Sequence, residues 1–190
     1  MRITAIIPAR GGSKRLKNKN IYPLWGKPML YWAIQACKNS KFTIDVCVSS
    51  DSEEILSIAR DLGTKTHARD HETSNDKAYK QTAIRQAASY LEKEYGKSDI
   101  YISLQANSPT LTSSQLDRGI SSLLEYNKDE IFSVDSSLMQ NAAFRIFKGD
   151  YVFQKDLSTN CGVVIAEAYD VHTLEDIKNL ENKKQGTQHD

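Results

Sequence analysis

Residues 3–20, ITAIIPARGGSKRLKNKN, decide the expected fold of this chain. The stretch opens with an apolar run typical of a buried strand, and at Pro8 the run ends in a basic, glycine-containing loop. Glycines let backbone N–H groups approach a ligand closely, and neighbouring N–H groups can bind an anion. The loop contains Arg10, Gly11, Gly12, Lys14, Arg15 and Lys19. A strand that feeds such a loop predicts a phosphate or nucleotide site at the strand's carboxyl end.

An alternative interpretation is a solvated basic loop between a strand and a helix. Few solvated loops combine paired glycines with so many spaced cations, so the anion-binding interpretation is favoured. Two named motifs do not apply, because GGSKRLKNK is not the P-loop pattern G-x-x-x-x-G-K-[ST] and the chain contains no G-x-G-x-x-G. A dinucleotide cofactor is therefore not expected.

The length and composition are those of one soluble globular domain. The chain has 190 residues, of which 39% are hydrophobic and 26% charged. We expect a single domain over residues 1–181 and a polar, frayed tail over 182–190. No apolar run is long enough for a membrane helix, and no secretory signal is evident. Three separated cysteines without a CxxC pair argue against disulfides and zinc, so a cytoplasmic protein is expected.

Positive charge is concentrated at the start of the chain. Residues 1–41 contain nine Lys or Arg and no Asp or Glu, so the remainder carries a net charge of −8. A basic block can indicate nucleic acid binding. Here the cations crowd one glycine loop without interleaved aromatics, which favours a small phosphorylated ligand and no nucleic acid.

Alternating strand and helix patterns predict an α/β fold with a mostly parallel sheet. Predicted strands cover residues 3–7, 44–48, 64–67, 99–104, 131–134 and 162–166, with β-like pieces at 144–147 and 151–153. Three predicted helices cover residues 28–38, 77–95 and 173–180. Another is predicted to begin at a cap on Ser50 or Asp51 and to end at Gly63. A fifth is predicted to begin at a cap on Thr112 or Ser113, with Leu116, Ile120, Leu123 and Leu124 facing inward. Residues 71–77 are predicted to be polar and irregular.

The first loop carries a family resemblance. Residues 8–15, PARGGSKR, followed by Lys19, Asn20 and Ile21, resemble the opening signature of the acylneuraminate (sialic acid) cytidylyltransferases. Further landmarks agree in order: VSSD at 48–51, the polar residues Arg69, Glu72 and Asp76, LQANSP at 104–109 and DVHTLED at 170–176. The resemblance covers nearly the whole chain, with a gap between about residues 135 and 160. It implies a three-layer, Rossmann-like nucleotidyltransferase fold with a twisted sheet and helices on both faces.

The resemblance also implies an activity and a set of site residues. Members transfer CMP from CTP to the anomeric hydroxyl of an acidic 2-keto sugar, here a sialic acid-like nonulosonate, and release pyrophosphate. It implies catalytic roles for Arg10, Lys14 and Lys19, and nucleotide contacts from Ala9, Arg10, Gly11, Gly12, Ser13, Lys14, Asn20 and Arg69. Gln105 and Ser108 lie where the sugar is expected.

Metal binding is expected at residues 170 and 172. Relatives use two carboxylates one residue apart, whereas this chain has Asp170 and then His172. Imidazole suits Mg²⁺ less well than carboxylate. Three alternatives therefore stay open: Mg²⁺ on Asp170 with water-mediated help from His172, a preference for Mn²⁺, or a weak metal site. Another interpretation is that Asp170 and His172 only flank the cap at Thr173.

Other departures leave alternatives open. An acceptor-loop arginine of the family is replaced, because Thr110 and Leu111 stand at that position. Relatives are usually longer between about residues 135 and 160, where they carry sugar-binding residues and a dimer-forming extension. Arg145, Lys148 and Lys155 are available there to meet a sugar carboxylate. A homodimer is a further expectation, and the alternative function is a catalytically impaired nucleotide-binding relative with a binding or regulatory role.

Overall fold

The computed structural model describes residues 1–69 and 80–186, which form a seven-stranded sheet, a two-stranded sheet and surrounding helices. The strands are β1 Ile3–Pro8, β2 Pro23–Leu24, β3 Lys27–Pro28, β4 Ile44–Ser50, β5 Lys65–Ala68, β6 Ile100–Leu104, β7 Glu130–Val134, β8 Gln140–Lys148 and β9 Cys161–Ile165. The helices are α1 Met29–Lys38, α2 Glu53–Asp61, α3 Lys80–Tyr95, α4 Ser113–Glu125 and α5 Leu174–Gly186. Short 3₁₀ helices cover Lys19–Ile21 and Gly149–Phe153.

The large sheet has the order β5-β4-β1-β6-β8-β7-β9 and is mostly parallel, as predicted. Only β8 within it runs antiparallel to its neighbours, β6 and β7. The central strand β1 lies between β4 and β6 and is parallel to both. Because parallel strands end at the same edge of a sheet, the loops after Pro8, Ser50 and Leu104 converge.

Apolar side chains pack on both faces of the sheet, which confirms the three-layer α/β architecture. Alternate residues of a strand point to opposite faces, so each buried strand has apolar side chains on both sides. On one face, α1, α2 and α4 contribute Ala33, Ile34, Ile55, Ala59, Leu116 and Ile120 against Ile3, Ala5 and Ile7. On the other face, α3 contributes Ile84, Ala87 and Leu91 against Ile6, Tyr101 and Phe147.

The start of α2 corrects one prediction. Its N-cap is Ser52, whose hydroxyl accepts from the backbone N–H of Ile55 at 3.5 Å. Neither predicted cap was available, because the Ser50 hydroxyl accepts from the Ser52 N–H at 3.0 Å and an Asp51 oxygen accepts from the Gly11 N–H at 2.9 Å. The predicted stop at Gly63 is confirmed, with φ of +71°.

Other helix predictions differ in detail. Thr112 caps α4 in a capping box with Gln115, as predicted, but Leu124 is 44% exposed because it lies beyond the inward stripe. Pro28 precedes α1 instead of starting it, because it pairs with Pro23 in the two-stranded sheet. The C-terminal helix extends to Gly186, so residues 182–186 are helical and not frayed. The predicted irregular segment 71–77 and the predicted start of α3 at residue 77 lie outside the described residues.

The prediction of a β-like piece at residues 151–153 is wrong. These residues belong to the 3₁₀ helix Gly149–Phe153. Gly149 has φ of +43°, and its N–H donates to the Asp99 carbonyl at 2.7 Å, so the chain turns away from the sheet at this point. Val152 is then buried against α3. In the described part of the chain, no helix is long and apolar enough to cross a membrane.

Candidate active site

The loop after β1 is fixed against the end of β4. The Ala9 N–H donates to the Ser49 carbonyl at 2.9 Å, and the Gly11 N–H donates to Asp51 Oδ1 at 2.9 Å. A Cβ at Gly11 would lie 2.9 Å from the Ser52 Cβ, so this close approach requires glycine. At Gly12, by contrast, a Cβ would meet nothing within 4 Å. The backbone of Ala9 is one of the predicted nucleotide contacts, and its N–H is already used in the bond to Ser49.

Asn20 stabilises the same loop from inside. It is buried, and its Nδ2 donates to the Arg10 carbonyl at 2.9 Å. The contact ties the two ends of the basic loop together across ten residues. The side chain of Asn20, a predicted nucleotide contact, thus has a partner within the protein and positions the backbone of Arg10.

Several cations of the loop lie close enough to affect one another. Burial lowers the pKa of Lys19 below its usual value, and Arg15 and Arg10 lower it further, whereas Asp170 raises it. Cations held near one another repel, and an anion placed among them relieves that repulsion. Lys14 is exposed on the same loop. The predicted triphosphate residues Arg10, Lys14 and Lys19 therefore belong to one positively charged surface.

Arg69 extends this surface from the end of β5. Its backbone N–H donates to the Ser50 carbonyl at 2.8 Å, and its side chain is close to Asp51 and Arg10. Burial lowers the pKa of the Arg69 guanidinium, with Asp51 opposing and Arg10 adding to the shift. Its Nε is buried and has no hydrogen-bond partner among the described residues. A buried donor without a partner is rare, and a bound ligand would satisfy it.

The predicted sugar and metal residues form one cluster at the end of β6. The Ser108 hydroxyl donates to Asp170 Oδ1, and Gln105 Nε2 lies 3.5 Å from Asp170 Oδ2. Asn107 holds the two segments in place: its carbonyl accepts from the Val171 N–H at 2.9 Å, and its Nδ2 donates to the Val171 carbonyl at 3.0 Å. Asp170 thus lies close both to the predicted sugar residues and to Lys19 of the basic loop.

A second acidic residue, Asp176, organises the segment that carries Asp170. One of its oxygens accepts from the N–H groups of His172 and Thr173, both at 2.8 Å, and the other accepts from the Tyr169 hydroxyl at 2.9 Å. The Thr173 hydroxyl in turn accepts from the Asp176 N–H at 3.3 Å, which confirms Thr173 as the cap of α5. These bonds lower the pKa of Asp176 to about 2, although burial alone would raise it.

The predicted metal ligands fit a divalent ion only in part. Among the described residues, no group of three or more His, Cys, Asp or Glu side chains could hold a metal ion. His172 Nδ1 lies 3.4 Å from Arg15 Nη2, so it faces a cationic donor. Asp170 offers hard oxygen atoms close to the positively charged surface of the loop. This arrangement fits Mg²⁺, which is commonly bound by one or two carboxylates together with substrate phosphates.

The sequence analysis missed two charged features near the site, the position of Lys80 and the pairing of Arg145 with Glu130. Lys80, the first described residue of α3, is close to Asp170 and Arg145. Arg145 itself binds the buried Glu130 through Nε at 2.9 Å and through Nη2, and stacks on the rings of Phe132 and Phe147. No sequence spacing signals either arrangement, because the partners come from separate elements. Asp176, by contrast, lies three residues after Thr173, which is the spacing of a capping box.

The other cations considered for a sugar carboxylate lie elsewhere. Lys148 Nζ lies 2.7 Å from Asn127 Oδ1, and Lys148 pairs with Ile100 at the start of β6. It is therefore at the edge of the sheet opposite to Gln105. Lys155 is exposed beyond the second 3₁₀ helix.

Comparisons with known proteins find similar sequences and similar folds. The sequence model of the family described as cytidylyltransferase matches residues 4–185. The N-acylneuraminate cytidylyltransferase A of Danio rerio is 36% identical over 132 residues, which are 70% of this chain and 30% of that protein. The pseudaminic acid cytidylyltransferase of Campylobacter jejuni is 33% identical over 134 residues, which are 70% of this chain and 58% of that protein. The chain thus spans less than two thirds of the length of these relatives.

Solved structures share the fold. A CMP:2-keto-3-deoxy-manno-octonic acid synthetase complexed with CTP has a TM-score of 0.77 at 14% identity, over 98% of this chain and 100% of that one. A cytidylyltransferase from Leptospira borgpetersenii has a TM-score of 0.74 at 19% identity, over 95% of this chain and 85% of that one. At these identities the likeness concerns the fold alone.

Proposed function

The chain belongs to the cytidylyltransferase family, and from that premise we propose that it transfers CMP from CTP to the anomeric hydroxyl of an acidic 2-keto sugar of the sialic acid-like nonulosonate class. One observation carries the proposal. Asp170 connects the acceptor residues Gln105 and Ser108 with Lys19 of the basic loop. A nucleotide on the basic loop and an acceptor at the end of β6 would therefore meet beside this carboxylate.

The basic loop binds the triphosphate in this proposal. Arg10, Lys14 and Lys19 neutralise the phosphate oxygens, and the backbone around Gly11–Ser13 approaches them closely. The unpaired Nε of Arg69 donates to the nucleotide from the side of β5. Asn20 acts as a positioning residue, because its amide holds the backbone of Arg10.

The reaction is a displacement at the α-phosphorus. The anomeric oxygen of the sugar forms a new bond to that phosphorus, the bond to the bridging oxygen of the β-phosphate breaks, and the hydroxyl proton is lost to the surroundings. Pyrophosphate leaves with the electron pair of the broken bond, and Lys14, Lys19 and Arg10 stabilise the charge that develops on it. Gln105 orients the sugar, and Ser108 holds Asp170 in place.

A divalent metal, Mg²⁺ or alternatively Mn²⁺, is part of the proposal. Asp170 would hold it next to the phosphates, where it would supply charge neutralisation. His172 is a poor ligand through Nδ1 while that atom faces Arg15, so any help from His172 would come through its other nitrogen or through water.

The test is pyrophosphate release from CTP with a panel of acidic sugars. The panel contains N-acetylneuraminic acid, pseudaminic acid and 3-deoxy-manno-octulosonic acid, each with Mg²⁺ and with Mn²⁺. We expect turnover with a nonulosonate and little with UTP in place of CTP, because a pocket that reads hydrogen bonds at the 4-position of the base discriminates strongly. Turnover only with 3-deoxy-manno-octulosonic acid would contradict the nonulosonate class.

The same measurement addresses the alternative function. A catalytically impaired, nucleotide-binding relative would be stabilised by CTP against thermal unfolding but would release no pyrophosphate with any of the three acids. The departure that favours this alternative is the absence of a second carboxylate at residue 172. A homodimer and a cytoplasmic location remain predictions, of which the first is checked by sedimentation or light scattering.

A further inference from the structure

Lys80 lies at the edge of the sheet where the site is built. The opposite end of α3 is fixed at the amino end of β1, where Arg2 Nη1 lies 3.2 Å from the carbonyl of Gly96. Between the two ends, α3 lies along the sheet, with Ile84 and Ala87 buried against it. A helix of 16 residues rises about 24 Å, which is enough to span a six-residue strand. The first turn of α3 is therefore level with the end of β6 and Gln105.

The charges around Lys80 connect it to the acceptor cluster. Asp170 attracts its ammonium group and Arg145 repels it, and crowding by protein atoms lowers the pKa of Lys80 to about 8. Lys80 nevertheless retains solvent-exposed surface, so an incoming ligand can reach it. Asp170 is the same carboxylate that binds Ser108 and Gln105. Lys80 thus lies close to this cluster.

Arg145 cannot bind an incoming carboxylate without losing its buried partner, Glu130. Its guanidinium binds Glu130, whose side chain is only 3% exposed, and that carboxylate also accepts from the Ser158 N–H at 2.6 Å. Breaking a buried ion pair leaves an uncompensated charge and is strongly unfavourable. Arg145 is therefore held in place as part of the sheet, whereas Lys80 has a flexible stem and an accessible ammonium group.

An acidic acceptor requires a cation at this position. Its carboxylate would be brought beside Asp170, and two like charges at close range repel each other in a partly buried site. The cations of the basic loop face the triphosphate, which carries a larger charge. A lysine close to Asp170 offsets this repulsion and can donate to the incoming carboxylate.

We propose that Lys80 binds the carboxylate of the acceptor and thereby restricts the site to acidic sugars. This inference rests on the proposed transferase function and assigns its selectivity for acids to a residue outside the motifs of the first loop. Lys80 contacts the carboxylate and not the reacting hydroxyl. Its loss should therefore affect the KM for the acid more than the KM for CTP.

The test compares an acid with its uncharged counterpart. Pyrophosphate release is measured with the panel acid that gives the fastest turnover and with the carboxamide of the same sugar, for wild type, Lys80→Met and Lys80→Arg. The matched control is Lys97→Met, which removes the same charge from an exposed lysine just beyond the other end of α3, where Lys97 pairs with Asp150 at 3.2 Å. Thermal unfolding and CTP binding of all four proteins monitor the fold and the nucleotide site.

Wild type and Lys97→Met should prefer the acid over the carboxamide by roughly 10- to 100-fold in kcat/KM, the range of a charge-assisted hydrogen bond. In Lys80→Met the preference should fall close to one, through a raised KM for the acid, with CTP binding unchanged. Lys80→Arg should restore part of it, because a guanidinium also binds carboxylate. A merely structural lysine would lower turnover of both sugars alike and leave their ratio unchanged.

An unchanged acid preference in Lys80→Met overturns the inference and leaves the proposed function standing. Absence of turnover by the wild type with every acid, despite CTP binding, overturns both. The two failures are therefore distinguishable by the wild-type measurement alone.

Discussion

Replacing Asp176 by alanine should loosen the segment that holds Asp170. The carboxylate of Asp176 accepts from two backbone N–H groups and two hydroxyls, on His172, Thr173 and Tyr169. Without it, these donors must find water, and the turn before α5 depends on the contacts of Val171 with Asn107. Because Asp170 lies four residues before α5, its carboxylate should then lose its fixed distance from Ser108 and Lys19.

The pKa of Asp176 sets the size of the effect. Its fall from 3.8 to about 2 corresponds to an upper limit of about 2.4 kcal/mol of stabilisation by the ionised form. The group is partly open to solvent, and screening reduces this to about 1 kcal/mol. For a chain of this size, that predicts a decrease in Tm of about 2–4 °C at pH 7. Misplacement of Asp170 should lower turnover by about 10- to 100-fold.

The pH dependence follows from the direction of the shift. A carboxyl whose pKa is lower in the folded protein stabilises it above the unfolded pKa, and this stabilisation is lost as protons bind. The difference in stability between wild type and Asp176→Ala should therefore be constant above about pH 4 and disappear towards pH 2. Urea unfolding between pH 2 and pH 7 measures this difference directly.

Glu175→Ala is the matched control, because Glu175 is an exposed acidic residue in the same first turn of α5. It removes the same charge near the helix terminus without removing the acceptor of the four hydrogen bonds. The reasoning is refuted if the two variants unfold at the same temperature and turn over at the same rate.

Three further predictions concern the basic loop, the metal site and the sheet. Lys14→Ala should abolish turnover and weaken CTP binding by about 1.5–3 kcal/mol, because it removes a charge-assisted contact to phosphate. Its Tm should stay unchanged, because the side chain of Lys14 is exposed. Equal CTP affinity of variant and wild type, measured by calorimetry, would exclude a role of Lys14 in binding phosphate. His172→Asp should improve turnover with Mg²⁺ relative to Mn²⁺, since it adds a hard oxygen ligand, and identical metal preference in both proteins would leave residue 172 as part of a helix start only. Gly119→Ala should destabilise the fold by about 1–3 kcal/mol in urea unfolding, because its Cβ would lie 2.7 Å from the Cδ1 of Ile146; Gly12→Ala, whose Cβ has open space, should not, and similar unfolding of both would disprove the packing argument.

The sequence by itself determined the layers of the fold and the place of the basic loop. The apolar run before Pro8 predicted a buried strand, and the adjacent glycines and cations after it predicted a basic loop at the end of that strand. These signals are local, because they depend on neighbours along the chain. The cap at Thr173 and the stop at Gly63 were predicted for the same reason.

Only the tertiary structure decided which side chains meet. Ser108 and Asp170 are 62 residues apart in the chain, and their contact arises because the loop after β6 and the segment before α5 are tied together by Asn107. Arg145 was a plausible cation for a sugar until the sheet placed it against Glu130, and Lys80 had no motif at all. Contacts between distant elements depend on sheet order and register, which periodicity does not encode. For that reason the sequence predicts a basic loop, whereas the packing of α3 and β8 brings Lys80 close to Asp170 and holds Arg145 against Glu130.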